Sequence, residues 1–289
     1  MTTRNLLALP LILLILSVFI LTGCIEKQIT QNELIERIAT AQKDLKSYDF
    51  EMDMNIEMKG VQAGEKIDAA ISSHTSGAIA LADKKMRTKM AMAIKVPETK
   101  EEPAIFQQTD SELYMIDTTM YLNMGDTSGM PEGWYKLDIP LPLYPAMWES
   151  QAWVQQQINL LRDAADIKIV GEEKVSGVNC YKMDMRPDMK QLLNMYVKQV
   201  NGLPAGDMDP SEIDSALQDI KSASYTAWYE ERTALPVKVK MVMDIESRQD
   251  DASIQMTMEI NMRYKHINSH VSIELPPEAE DAQDMSELQ

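Results

Sequence analysis

Four stretches of the chain alternate between apolar and mostly polar residues, and this period of two restricts the fold more than any other feature. In the first, Met52, Met54, Ile56 and Met58 alternate with Glu51, Asp53, Asn55, Glu57 and Lys59. Successive side chains on a strand point to opposite sides, so each stretch reads as a strand with one dry face and one wet face. The pattern returns at Met86, Thr88, Met90, Met92, Ile94 and Val96, then at Val237, Val239, Met241, Met243 and Ile245. It returns once more at Ile254, Met256, Met258, Ile260, Met262 and Tyr264. Antiparallel sheets show this pattern when one side is buried and the other solvated, and the polar links at 82–85 and 247–251 suit hairpins.

Shorter strands are expected at 105–108, 112–116, 120–124, 134–138, 167–170, 179–185 and 224–230. Helices should accompany them. Thr30-Gln31-Asn32-Glu33 has the form of a capping box, and Leu34, Ile35, Ile38, Ala41, Gln42 and Leu45 form a stripe at helical spacing to about residue 47. Further helices are expected at 146–164, 189–200 and 210–222, the last opened by Asp209 as N-cap, Pro210 in the first turn and Glu212. The expected class is α+β. Pro276-Pro277 stops regular structure, and the acidic stretch 277–289 is expected to be a flexible tail.

The N-terminus carries a different signal. Arg4 is the one charge in residues 1–23, residues 6–21 are almost wholly apolar, and Leu21-Thr22-Gly23-Cys24 follows directly. This is the order of a secretory leader, too short for a comfortable membrane span and lacking a basic flank after it. The Leu-Thr-Gly-Cys ending resembles a bacterial-type lipobox. That resemblance implies a diacylglyceryl group on the Cys24 sulfur, cleavage before Cys24, and palmitate-type acyl chains holding the domain to the extracytoplasmic face of the cell membrane. The alternative is an uncleaved anchor helix with an incidental cysteine. The chain then divides into a signal peptide (1–23), a lipidated tether (24–29), one domain (30–276) and the tail (277–289).

Composition narrows the function. The formal net charge is −17, and with no basic stripe to meet phosphates a nucleic-acid partner is excluded. Cys24 and Cys180 are the two cysteines, and if lipid consumes the first, Cys180 survives by burial in a strand. Glu172-Glu173 and Glu230-Glu231 read as solvated charges. Asp207-Met208-Asp209 reads as helix capping rather than a calcium site, and His266-x-x-x-His270 falls on a strand end and loop. No phosphate loop, nucleophile elbow or zinc signature occurs, so no catalytic residue, metal site, cofactor or enzymatic activity is expected.

The chain has 23 Met against 3 Phe. Methionine is flexible and polarizable, so a sheet face lined with it fits variable apolar partners. The candidate lining is Met52, Met54 and Met58 on the first alternating stretch and Met90 and Met92 on the second. Met241 and Met243 on the third, and Met256, Met258 and Met262 on the fourth, complete it. The competing reading is that helices fill this side and Met is a core residue. A third, thioether capture of Cu(I), needs one coordination sphere, and these residues are too dispersed to form it.

Three stretches are similar to the lipoprotein-carrier superfamily that includes LolA, LolB and the LppX group. They are Val170-Gly171-Glu172-Glu173-Lys174-Val175-Ser176-Gly177-Val178-Asn179-Cys180-Tyr181-Lys182-Met183, Ala227-Trp228-Tyr229-Glu230-Glu231-Arg232-Thr233-Ala234-Leu235-Pro236-Val237-Lys238-Val239, and Val271-Ser272-Ile273-Glu274-Leu275-Pro276-Pro277-Glu278-Ala279. The third stretch is like that family's closing strand, and the resemblance implies a strongly curved antiparallel sheet, a half-open barrel, with helices on its concave side and an apolar cavity between them. It also implies non-enzymatic binding of lipid or lipid-modified chains. The expected function is that of a monomeric lipoprotein binding a hydrophobic ligand, with lipid transport as one use of it. The alternative is an envelope sensor with a filled core and a protein partner.

Overall fold

The computed structural model describes residues 29–62, 65–98, 103–125, 131–139, 166–186, 188–190, 217–249 and 252–285. Helix α1 (Gln31–Lys43) opens on the capping box: the Thr30 hydroxyl accepts from the Glu33 amide at 3.2 Å, and the Thr30 amide donates to the Glu33 carboxylate at 2.9 Å.

Among the described residues, twelve strands follow. They are β1 (Ser47–Gln62), β2 (Glu65–Ala80), β3 (Lys85–Val96), β4 (Ile105–Ile116), β5 (Thr119–Met124) and β6 (Gly133–Asp138). After them come β7 (Asp166–Val175), β8 (Val178–Arg186), β9 (Ile220–Glu230), β10 (Pro236–Gln249), β11 (Ala252–Lys265) and β12 (Gln283–Asp284). They make one open sheet in the order β12-β6-β5-β4-β3-β2-β1-β11-β10-β9-β8-β7. Every pairing is antiparallel except that of β12 with β6.

Most consecutive strands are antiparallel neighbours, but β6 and β7 do not pair, and β11 returns to pair with β1. The β7–β8 turn shows why local sequence suffices for most of this. Ser176 and Gly177 take φ of 50° and 89°, the left-handed pair that a two-residue hairpin uses to match strand twist.

Several expectations need correction. β2 was not anticipated, and the separate strands expected at 105–108 and 112–116 are one strand, β4. Helix α1 ends at Lys43, before the expected residue 47, and the helix expected to reach residue 222 gives way to β9 at Ile220. Residues 271–275, expected as a closing strand, have no regular structure. The stretch expected as a free tail instead forms a 3-10 turn at Pro277–Ala279 and adds β12 to the sheet edge, burying Ala279 and Ala282. Most of the helices expected at 146–164, 189–200 and 210–222 lies outside the described residues, as do the leader and Cys24.

Each face has its own cover at one end. Leu34, Ile35 and Ile38 of α1 pack on Ile167, Met183, Met185 and Ala227, with Leu34 and Ile38 fully buried. Full burial of one such side chain is worth about 1.5–3 kcal/mol. Arg37 secures the helix by donating to the backbone carbonyls of Glu231 and Arg232 in the β9–β10 turn. On the opposite face, Ile273 packs among Ala78, Ala80 and Tyr114, so the irregular 271–275 segment covers β2 and β4.

Candidate functional site

Register builds the candidate site. Residues paired across an antiparallel ladder share a face, so the pairs can be followed from strand to strand. One row runs Met185–Tyr225–Met241–Ile260–Met54–Ser73–Met92–Thr109. Its neighbour runs Met183–Ala227–Val239–Met262–Met52–Thr75–Met90–Ser111. Two further rows contain Met243–Met258–Ile56–Ile71–Ile94 and Ile245–Met256–Met58–Ala69. All ten candidate methionines therefore lie on one continuous face, and every one of them is half-buried.

The opposite face is charged. Lys265 pairs with Glu51 at 2.5 Å, Lys240 with Glu259 at 3.0 Å and Lys89 with Glu112 at 2.6 Å. The hydrogen bond from Lys265 holds the Glu51 carboxyl below the usual range, and those from Asn261 and Lys240 do the same for Glu259. Asp244 is held low by the hydroxyls of Ser222 and Thr257. His74 and His266 meet Asp53 and Asp49 on this side, each at 2.7 Å, rather than sharing a ligand set. Among the described residues no group of three or more His, Cys, Asp or Glu is placed to hold a metal ion.

Two pockets lie mostly away from the methionine rows, although the second touches Ser73 and Met92. One of about 510 Å³ sits at the β7 edge against Ile29, Gln31, Ile169, Val170 and Tyr181. A second, of about 490 Å³, lies mainly against charged-face residues such as Asp53, His74, Gln108 and Asn261, and of the candidate methionines Met92 alone contributes to it. The methionine face itself is met by α1 over β7–β9 and by an aromatic cluster on β1 and β11. There Tyr48, Phe50 and Leu45 pack with Met52, Met262 and Tyr264.

Two features, the buried hydroxyls of β2 and the setting of Trp228, have no clear signal in the sequence, whereas the burial of Cys180 was expected. Ser73 and Thr75 on β2 stand buried in the middle of the methionine rows. Trp228, part of the second resemblance motif, is 4% exposed on the charged face. Its indole Nε1 donates to Glu173 at 3.0 Å, with the Lys182 and Lys238 ammonium groups 5.3 and 4.6 Å from its ring centroid. Cys180 is fully buried and its thiol contacts the Val178 carbonyl at 3.4 Å; burial pushes the thiol pKa up, which suppresses the reactive thiolate.

Among the described residues no helix is long and apolar enough to cross a membrane. A family model described as "Family of unknown function (DUF6612)" matches residues 30–284. Comparison with the curated proteins finds no match. Among solved structures, the chain is similar to LprF from Mycobacterium bovis, at 14% identity and a TM-score of 0.42, covering 85% of this chain and 96% of that one. It is also similar to the Mycobacterium tuberculosis lipoprotein LppX, at 13% identity and a TM-score of 0.38, covering 83% and 96%. A DUF1329 family protein from Desulfovibrio piger aligns at 12% identity and a TM-score of 0.24, covering 84% and 93%.

Proposed function

The chain belongs to the DUF6612 family, whose description assigns no activity, and from its own geometry we propose a non-enzymatic lipoprotein that binds a hydrophobic ligand on the methionine face. One observation carries this reading: the half-buried thioether and aliphatic rows run unbroken across β10, β11 and β1, back to back with a ladder of ion pairs. A soluble domain keeps its broad apolar surfaces covered, so a continuous face of this kind calls for an occupant. Flexible, polarizable side chains suit an acyl or isoprenoid chain, whose shape varies, better than they suit a rigid partner. Attachment through lipid on Cys24 at the extracytoplasmic face would place that ligand beside its source, with delivery to an acceptor as the use of the site.

Native mass spectrometry and solvent extraction of the domain from Ile25 onward test the binding claim. Copurifying lipid is the expected result, and an empty, well-packed domain would favour a sensor with a protein partner. Anchoring has its own test: Cys24→Ser should move the protein from the membrane fraction to the soluble fraction, and a variant still held in membranes would indicate an uncleaved anchor helix.

A further inference from the structure

The apolar face has two chemical halves. Over β10, β11 and β1 its rows are almost entirely Met, Ile and Val, whereas on β2 to β4 hydroxyls enter the same rows: Ser73 and Thr75, then Thr109 and Ser111. Ser73 is 6% exposed, and its hydroxyl oxygen is buried with no hydrogen-bond partner among the described residues. In register it lies between Met54 and Met92. An unpaired buried hydroxyl costs about 1–3 kcal/mol, and alanine or methionine would fill the position without that cost. Such an orphan in the middle of a binding face marks where a ligand supplies the missing partner.

Charge restricts what that partner can be. Between the row of Phe50 and Tyr264 and the row of Met58 and Met256, no Lys, Arg, Asp or Glu shares this face on the described strands β1–β5, β10 and β11. A carboxylate or phosphate placed there would be desolvated without a counter-charge, which is strongly unfavourable. A neutral acceptor set within a hydrocarbon chain suits the site. Resting on the proposed binding role, we infer that the ligand is an ester-linked acyl chain whose carbonyl accepts a hydrogen bond from the Ser73 hydroxyl, with its hydrocarbon lying over β1, β11 and β10. Glycerolipids and diacylglyceryl-modified cysteine share this chemistry.

The test titrates the full chain in a mild non-ionic detergent, followed by native mass spectrometry. Four probes are used: dipalmitoylglycerol, a dipalmitoylglyceryl-cysteine peptide, palmitate and hexadecane. An ester probe should bind more tightly than palmitate or hexadecane, and the tighter of the two esters identifies the source. Ser73→Ala should weaken ester binding about five-fold, the effect of one lost hydrogen bond, and leave hexadecane unchanged. Its melting temperature should stay level or rise, because an unsatisfied group has been removed. Equal weakening for ester and hexadecane, no weakening at all, or a lower melting temperature would overturn the assignment. Hexadecane binding with no ester preference defeats this inference alone, whereas failure of every probe on folded protein defeats the binding role itself.

Discussion

Phe50 closes over Gly77: the two residues face each other across the β1–β2 ladder, and a β-carbon at position 77 would come within 2.6 Å of the Phe50 ring. The Arg87 carbonyl, at 2.7 Å, blocks retreat on the other side. Backbone cannot move aside as a flexible side-chain tip can, so Gly77→Ala should destabilise the protein by about 1–3 kcal/mol, the usual range for overpacking. Urea denaturation measures it, and a variant as stable as the parent would show that the ring has room to shift.

Trp228 and Glu173 make a second, separable test. Trp228→Phe keeps an aromatic ring between Lys182 and Lys238 but removes the indole donor. That hydrogen bond is the largest influence holding the Glu173 carboxyl low, so the Glu173 pKa should rise towards its ordinary value when followed by NMR titration. Trp228→Ala also removes the buried ring, and its cost should reach about 3–5 kcal/mol in chemical denaturation. An unmoved Glu173 pKa in Trp228→Phe would leave Lys182 as its controlling partner.

Within the methionine rows, Met54→Glu and Met256→Glu each set a carboxylate among thioethers and aliphatic side chains. Both residues are half-buried, so the fold should tolerate the change better than the ligand does. The expected outcome is a cooperative unfolding transition with no lipid recovered by solvent extraction. Full lipid recovery from a folded variant would remove that position from the lining.

Alkaline pH probes the aromatic end of the same face. Burial raises the Tyr48 hydroxyl pKa from 10.0 to about 12, and it raises those of Tyr225, Tyr229 and Tyr264 as well. Above pH 10 the unfolded chain therefore ionises while folded Tyr48 stays neutral, so the folded state binds more protons and stability falls as pH rises. A tyrosine that is ionised when unfolded and neutral when folded removes up to about 1.4 kcal/mol of stability for each further rise of one in pH. Thermal melts between pH 9 and 12 should show the fall, and Tyr48→Phe should make it shallower; an unchanged slope would mean that Tyr48 does not titrate in that window.

Much of the fold was legible because its signals are local. The alternation of Met52 to Met58 and of Met256 to Met262 needs only the period of a strand, and the Thr30–Glu33 box needs only four residues. β2 was missed because its inward positions are Ile67, Ala69, Ile71, Ser73, Thr75, Gly77 and Ile79. Small and hydroxyl residues give little hydrophobic amplitude, so a strand that is central in the sheet has no strong period of its own. Residues 271–275 misled in the opposite direction, since Val271, Ile273 and Leu275 alternate like a strand but spend that alternation packing across β2 and β4 rather than joining a ladder.

By itself, the sequence determined which side chains can share a face, where α1 begins, and that one side of the sheet would be apolar and rich in thioethers. Only the tertiary structure decided that β11 returns to β1, which joins methionines some two hundred residues apart into continuous rows. It also decided that Ser73 is buried among them and that Gly77 must have no side chain. Periodicity is a property of neighbours along the chain, whereas register and the loss of hydrogen-bond partners depend on which distant strand arrives alongside.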